Sequence, residues 1–131
     1  MSRVPRVLVV DDDRDILELL SYNLGKAGFR VKVMDNSSKA ISYSVRFKPD
    51  LIILDIVMPP INGIEVCKQI RAIPALADTY IFFLSGQSEP YYREAAMKTG
   101  ADDFEDKIIG LRTLIQKVIS ILKGNDRLHK S

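Results

Sequence analysis

Residues 51–55 read LIILD, a run of four apolar residues that ends at an aspartate. Such a continuous run is typical of a strand buried on both faces of a parallel sheet, because a half-exposed strand would alternate with polar residues. The pattern occurs twice more: residues 7–13 read VLVVDDD and residues 81–86 read IFFLSG. We therefore predict three central strands, each followed directly by polar residues.

Two weaker strands complete the set. Val31 and Val33 alternate with charged residues, which predicts a second strand nearer the sheet edge, and a short last strand is expected near Asp103–Phe104. Helical spacing of apolar residues separates the strands, with Gly28 and Gly100 as helix stops. The predicted helices carry Ile16 to Leu24, Ile41 to Val45 after a cap at Asn36–Ser38, Ile64 to about Ala72, Tyr92 to Thr99, and Leu111 to Leu122.

Five strand–helix units of this length predict an α/β fold. Right-handed crossovers then favour a doubly wound, five-stranded parallel sheet with five helices on its two faces. We expect one domain over residues 1–123 and a polar C-terminal tail over 124–131. His129, the only histidine, falls in that tail, so histidine chemistry within the domain is not expected.

Composition excludes several classes of protein. There are 19 basic and 17 acidic residues, and a formal net charge of +2 gives no nucleic-acid footprint, so no direct nucleic-acid binding is expected. No apolar run approaches a membrane span, and no signal peptide is evident, which favours a cytoplasmic location. The single cysteine, Cys67, is expected to pack in the core.

Ionisable side chains follow the predicted strands. Asp11, Asp12 and Asp13 end the first strand, Asp55 the third and Ser85 the fourth, while the fifth leads to Lys107. Ligands of open parallel sheets bind beyond the carboxyl ends of the strands, so these groups are expected to share one edge. Carboxylate oxygens suit Mg²⁺, and a carboxylate can act as a nucleophile toward phosphorus. Lys107 and Ser85 can stabilise the oxygens of a transferring group. Asp13 is equally well interpreted as a helix N-cap.

Four segments together resemble the receiver domain of bacterial two-component response regulators, over about Arg6 to Leu122. VLVVDDD with Ile16-Leu17 resembles the opening strand and acidic pair of that family. PDLIILDIVMPPINGIEVC resembles its phosphoacceptor segment, with Asp55 at the acceptor position. FFLSG resembles the strand with a small hydroxyl residue, and GADDFEDK the segment with the switch aromatic and the lysine.

The resemblance implies a flavodoxin-like sheet of order 2-1-3-4-5 and a role for each site residue. Asp55 would accept a phosphoryl group from a sensor histidine kinase or a phosphotransfer protein. Mg²⁺ would be bound by Asp12, Asp55 and the Val57 carbonyl, and by Asp11 through water. Ser85 and Lys107 would contact the phosphoryl oxygens, and Phe104 would turn inward as Ser85 moves.

The implied function is a signalling switch that assists its own phosphorylation and dephosphorylation, and is not a turnover enzyme. The implied read-out face comprises the helix after Ser85, the last strand and the last helix, and it is the expected surface for a homodimer. No membrane partner is implied. No output segment is evident, so the chain is either a stand-alone regulator or the N-terminal part of a longer protein.

Three positions depart from the family pattern. Ile108 follows the lysine where proline is usual and the bond is commonly cis; we expect a trans bond here, with Lys107 still reaching the acidic cluster. Phe104 replaces a frequent tyrosine, and Gly86 replaces the usual alanine.

Two other functions are compatible with part of the pattern. Asp11-x-Asp13 after a strand is the nucleophile pattern of haloacid-dehalogenase-like phosphatases, although Asp55 and Met58-Pro59 would then have no role. A degenerate receiver that only binds partners is the other alternative, which the intact Asp55, Ser85 and Lys107 disfavour.

Overall fold

The computed structural model describes residues 3–87 and 89–124, and within them five parallel strands form one sheet of order β2-β1-β3-β4-β5. The predicted doubly wound fold and strand order are confirmed. Most of the predicted tail, 125–131, lies outside the described residues. The strands are β1 Arg6–Val10, β2 Arg30–Met34, β3 Leu51–Leu54, β4 Tyr80–Ser85 and β5 Asp103–Asp106.

Within the described residues, five helices alternate with the strands. They are α1 Arg14–Lys26, α2 Ala40–Phe47, α3 Gly63–Arg71, α4 Pro90–Lys98 and α5 Leu111–Lys123. Short 3₁₀ turns occupy Ser37–Lys39, Pro74–Leu76 and Lys107–Ile109. The predicted cap at Asn36–Ser38 therefore starts a 3₁₀ turn that leads into α2, because the Asn36 side chain accepts its hydrogen bond from Ser38 N.

The apolar runs form the middle of the molecule because both of their faces are covered. Every residue of β3 is buried, as are the last four residues of β1. One face of the sheet packs against α1 and α5, and the other packs against α2, α3 and α4. The alternating strand β2 lies at the edge, as predicted, and mostly exposed side chains line it.

Two glycines end helices where the backbone turns left-handed. Gly28 follows α1 with φ +101°, and Gly100 follows α4 with φ +98°. A side chain is strained in that conformation, which explains why both predicted helix stops hold. Among the helices that the structure describes, none is long and apolar enough to cross a membrane.

Candidate functional site

Asp11 follows β1 at the carboxyl edge of the sheet and is almost completely buried, with 2% of its surface exposed. Its amide donates to Met34 O at 3.1 Å, which fixes it beside the end of β2. Its Oδ1 accepts a hydrogen bond from Asp13 N at 2.9 Å. The second carboxylate oxygen of Asp11, Oδ2, faces Lys107.

Asp12 and Asp13 have different environments from Asp11, and both are exposed. The Asp13 side chain caps α1 by accepting a hydrogen bond from Asp15 N at 3.0 Å. The capping interpretation of Asp13 is thus confirmed, and it leaves Asp12 as the second acidic residue of this loop that can face the site.

Asp55 follows β3 and is 6% exposed. Its amide donates to Val10 O at 3.0 Å, which continues the ladder between β3 and β1 past the last strand residue. Its Oδ1 accepts from Ile56 N at 2.8 Å, so one carboxylate oxygen is held by the backbone. The other oxygen, Oδ2, faces Lys107.

Lys107 lies between the two buried carboxylates. Its Nζ is 3.1 Å from Asp11 Oδ2 and 3.6 Å from Asp55 Oδ2. Within residues 3–87 and 89–124 the only cis peptide bond joins Pro59 and Pro60, so the Lys107–Ile108 bond is trans, as expected. The Asp106 side chain caps the 3₁₀ turn by accepting from Ile108 N at 2.9 Å, a donor that proline would lack.

Three carboxylates converge at this point. One oxygen each of Asp11, Asp12 and Asp55 can be chosen so that all lie within 4.8 Å of one another. Burial, and then the negative charge of Asp11, raise the pKa of Asp55 to about 6. Burial also raises the pKa of Asp11. Burial alone would lower the pKa of Lys107, but its hydrogen bond to Asp11 and the charges of Asp11 and Asp55 raise it overall.

The loop after Asp55 folds back onto the strand end. Gly63 N donates to Ile56 O at 2.8 Å, and a Cβ atom on Gly63 would lie 1.9 Å from the Asp55 carbonyl oxygen. The buried Ser37 joins this loop to the start of α2, since its Oγ donates to Pro59 O at 3.1 Å and accepts from Ile61 N at 2.9 Å. Sequence reasoning missed Ser37, because no local pattern signals a contact between residues 22 and 24 positions apart.

The residues expected to form the switch are both buried. Ser85 is the last residue of β4, and its Oγ accepts from Gln87 N at 3.0 Å. Phe104 is 3% exposed, with its ring 6.4 Å from that of Phe83 and the Arg93 guanidinium 5.5 Å from its centroid. The aromatic ring is therefore already inside the protein.

The remaining predicted site residue, Val57, lies in the loop after β3 and has a side chain that is half exposed. Cys67 on α3 is fully buried in the core, as expected, and its Sγ lies 3.9 Å from Thr99 O. The site therefore consists of two buried aspartates, one exposed aspartate and one lysine, with Ser85 at the neighbouring strand end.

Comparison with known proteins agrees with this geometry. Residues 7–119 match the family model described as response regulator receiver domain. The chain is 35% identical over 121 residues to the alkaline phosphatase synthesis transcriptional regulatory protein PhoP of Bacillus subtilis (strain 168). That match covers 92% of this chain and 50% of PhoP, and the chain spans about half the length of the curated relatives it matches.

Two solved structures extend the comparison to three dimensions. The chemotaxis response regulator CheY4 of Vibrio cholerae superposes with a TM-score of 0.84 at 26% identity, over 91% of this chain and 99% of CheY4. The BeF3-activated DrrB receiver domain superposes with a TM-score of 0.81 at 26% identity, over 92% and 99% of the two chains. The chain therefore belongs to the response regulator receiver domain family.

Proposed function

We propose that this receiver domain is a phosphorylation-dependent switch in which Asp55 accepts the phosphoryl group. The observation that carries the proposal is the pairing of a buried Asp55 carboxylate with Lys107 Nζ at 3.6 Å, next to the Asp11 and Asp12 carboxylates. Asp11 and Asp55 each have Oδ1 held by a backbone amide and Oδ2 facing Lys107, and Asp55 is proposed as the acceptor because it occupies the acceptor position of the segment that resembles the phosphoacceptor segment of the family.

The proposed reaction is a simple transfer. An Asp55 oxygen attacks the phosphorus of a phosphohistidine on a partner histidine kinase or phosphotransfer protein. The new O–P bond forms as the P–N bond breaks, and the imidazole leaves as the neutral ring after taking a proton from solvent. Lys107 is placed to balance the charge of the phosphoryl oxygens, because its ammonium is already at Asp55.

The carboxylate cluster fits Mg²⁺. Three carboxylates face one lysine, and burial of the excess negative charge raises the pKa of Asp55 to about 6. A dication removes that imbalance, and Mg²⁺ prefers oxygen ligands of this kind. We propose Asp12, Asp55 and the Val57 carbonyl as direct ligands, with Asp11 acting through water. When bound, Mg²⁺ would neutralise charge on the transferring group.

Phosphorylation would change the contacts of Ser85. Its Oγ accepts a hydrogen bond from Gln87 N, so the hydroxyl proton can still be donated to a phosphoryl oxygen. Movement of Ser85 would be transmitted to β5, because Ser85 lies in register with Asp106 on that strand. From β5 it would reach Phe104, and then α4, whose Arg93 lies over the Phe104 ring. Phosphorylation can shift an equilibrium between two conformations of the domain only through contacts that differ between them. The hydrogen bond from Ser85 to the phosphoryl group would be such a contact.

The proposed partners are a sensor histidine kinase or a phosphotransfer protein, and a second copy through the face of α4, β5 and α5. Tyr91 on α4 is 62% exposed and Ile108 is 88% exposed, so both are available to a partner. The cytoplasm is the proposed location, where such kinases present their phosphohistidine. Residues 1–123 are proposed as the functional unit.

The decisive experiment compares Asp55→Asn with Asp13→Asn after treatment with acetyl phosphate and Mg²⁺. Both variants lose one carboxylate at the same edge, but asparagine at position 13 still caps α1. Intact mass should show one added phosphate on the wild type and on Asp13→Asn, and none on Asp55→Asn. Equal uptake by all three proteins would refute the assignment.

The same samples test the phosphatase alternative. A phosphatase that used Asp11 as its nucleophile would release inorganic phosphate continuously from a phosphomonoester and would retain activity in Asp55→Asn. The capping role of Asp13 disfavours this alternative, because the second aspartate of that pattern is engaged with the α1 backbone.

A further inference from the structure

A cluster of cations lies at the other end of the sheet from the phosphorylation site, around the ring of Phe47. The guanidinium groups of Arg6 and Arg30 lie 5.8 and 5.9 Å from the centroid of this ring. The ring of Tyr43 stacks on Phe47 at 5.5 Å, and the Arg46 guanidinium lies 5.6 Å from the Tyr43 centroid. We call this group, with Arg3 and Lys48, the basic edge.

The basic edge has little compensating negative charge. Asp50 is paired with Arg3 at 2.9 Å and also accepts from Arg6 N. Within the ranges 3–87 and 89–124, the side chains of Arg30, Arg46 and Lys48 have no carboxylate at ion-pair distance. The one acidic residue of 20–49, Asp35, follows the other end of β2 and pairs with Arg14 at 3.1 Å.

The small overall charge conceals this separation. A net charge of +2 led us to expect no nucleic-acid binding, but that sum counts the aspartates at the carboxyl edge against the cations at the amino edge. Arg6 and Arg30 are also directly opposite each other on neighbouring strands. Two like charges held beside one ring repel each other, so an anionic ligand placed near both would offset that repulsion.

From these contacts we infer that the basic edge binds the phosphate backbone of a nucleic acid. Three of its five cations, Arg6, Arg30 and Arg46, are arginines whose guanidinium groups lie over aromatic rings. Arg6 also donates to Phe47 O at 2.7 Å, whereas Arg30 and Arg46 are exposed and their guanidinium groups can pair with phosphate oxygens. The ring contacts limit the side-chain freedom that binding would remove.

An acidic protein surface fits these features less well. Protein interfaces usually contain an apolar centre. Around these cations the exposed large apolar residues are two separate valines, Val4 and Val45, which form little apolar surface. A nucleic acid backbone carries negative charges at regular spacing, so it can bind a row of cations without an apolar centre. The inference does not depend on the proposed phosphorylation, since none of the five cations belongs to the Asp55 site.

The test is fluorescence anisotropy of a labelled short DNA duplex and a labelled single-stranded RNA, titrated with the full chain at several salt concentrations. Binding should weaken as salt rises, because each neutralised phosphate releases counterions. The triple variant Arg30→Gln, Arg46→Gln, Lys48→Gln should lose about tenfold or more in affinity, and its log–log salt slope should be shallower by about 2 to 3.

A matched control removes three positive charges elsewhere. Lys39→Gln, Lys68→Gln, Lys98→Gln leaves the basic edge intact and should keep wild-type affinity and slope. If the triple variant unfolds, the double variant Arg46→Gln, Lys48→Gln replaces it, because this variant retains the Arg30–Phe47 contact. It should lose part of the affinity for the nucleic acid. Thermal melts establish which variants are folded.

Three outcomes would overturn the inference. Equal losses in the triple variant and its control would mean that only net charge matters. Tighter binding of a polyglutamate peptide than of DNA or RNA would indicate an acidic protein partner. Binding only to vesicles of anionic lipid would indicate a membrane surface.

Discussion

Two lysines of this domain each lie between two carboxylates, yet only one of the two clusters has the properties of a reactive site. Lys107 contacts Asp11 and Asp55, and Lys117 on α5 contacts Asp103 at 2.7 Å and also Glu105. The lysine side chains are almost equally exposed, at 23% and 25%. The clusters therefore differ in their carboxylates and not in their cations.

Burial separates the two sets of carboxylates. Asp11 and Asp55 side chains are 3% and 7% exposed, whereas those of Asp103 and Glu105 are 23% and 30% exposed. A third carboxylate, Asp12, joins the first cluster. Water can screen the Lys117 cluster, which ties α5 to β5. The Lys107 cluster is largely shielded from water, and its three carboxylates outnumber its one lysine, so it retains an excess of negative charge.

The largest expected effect tests this difference directly. Lys107→Met should slow phosphorylation by acetyl phosphate about 100- to 1,000-fold, because it removes the cation beside the phosphoryl oxygens. Lys117→Met should leave that rate unchanged and lower the free energy of unfolding by about 1 kcal/mol, as its ion pairs are partly exposed. Rates come from intact mass over time, and equal rates for the two variants would erase the distinction.

A second test concerns the backbone that holds the buried cluster. Gly63→Ala should destabilise the protein by about 3 kcal/mol, because its Cβ would overlap the Asp55 carbonyl oxygen and the backbone must shift. Gly86→Ala, near the same edge, meets no atom within 4 Å and should change the free energy of unfolding by less than about 0.5 kcal/mol. Urea unfolding measures both. A tolerant Gly63→Ala would show that the loop is not as constrained as the structure indicates.

A third test uses pH. Asp55 has a folded-state pKa of about 6 against an ordinary value of 3.8, so between these values the folded state binds the proton more tightly than the unfolded state. The free energy of unfolding should therefore fall as pH rises through this window, and the Asp55 charge destabilises the protein above it. Asp55→Asn should be more stable at pH 7 without Mg²⁺, by up to about 3 kcal/mol.

The control for this test is Asp103→Asn, which removes one carboxylate from the Lys117 cluster and should not stabilise the protein. The advantage of Asp55→Asn should shrink as pH falls and vanish below about pH 3, where the carboxyl group is protonated in both states. It should also shrink when Mg²⁺ is added. Thermal or urea unfolding across the pH range measures this, and a stability curve that rises with pH through the window would contradict the assigned burial.

The smallest expected effects separate the two exposed aspartates. Asp12→Ala should weaken Mg²⁺ binding in a calorimetric titration with little change in stability. Asp13→Ala should leave Mg²⁺ binding nearly unchanged but cost about 1 kcal/mol of stability, because the α1 cap is lost. If Asp13→Ala weakens Mg²⁺ binding more, the proposed ligands are displaced by one residue.

Amide exchange can examine the proposed read-out face in the same way. With and without a beryllofluoride mimic, changes in protection are expected around Tyr91, Phe104 and Leu111. Changes confined to α2, near Ile41 and Val45, would contradict the proposed coupling of Ser85 to β5 and α4.

The sequence alone determined the sheet and the position of the edge that carries the candidate site. The runs in β1, β3 and β4 are apolar over their whole length because they are buried on both faces, and that property needs no knowledge of their neighbours. Parallel strands bring their carboxyl ends to one edge, so Asp11, Asp55 and Ser85 had to share it.

Tertiary structure decided what depends on residues distant in the chain. Burial of the carboxylates, not their sequence, distinguishes the Lys107 cluster from the Lys117 cluster. Ser37 supports the loop after Asp55 through hydrogen bonds to residues 22 and 24 positions away, and Gly63 is required by the closeness of the Asp55 carbonyl. Likewise, β2, β1 and α2 meet to bring Arg6, Arg30 and Arg46 together. Periodicity reports only which face of an element is buried, whereas these contacts arise when separate elements pack, and only the folded chain specifies them.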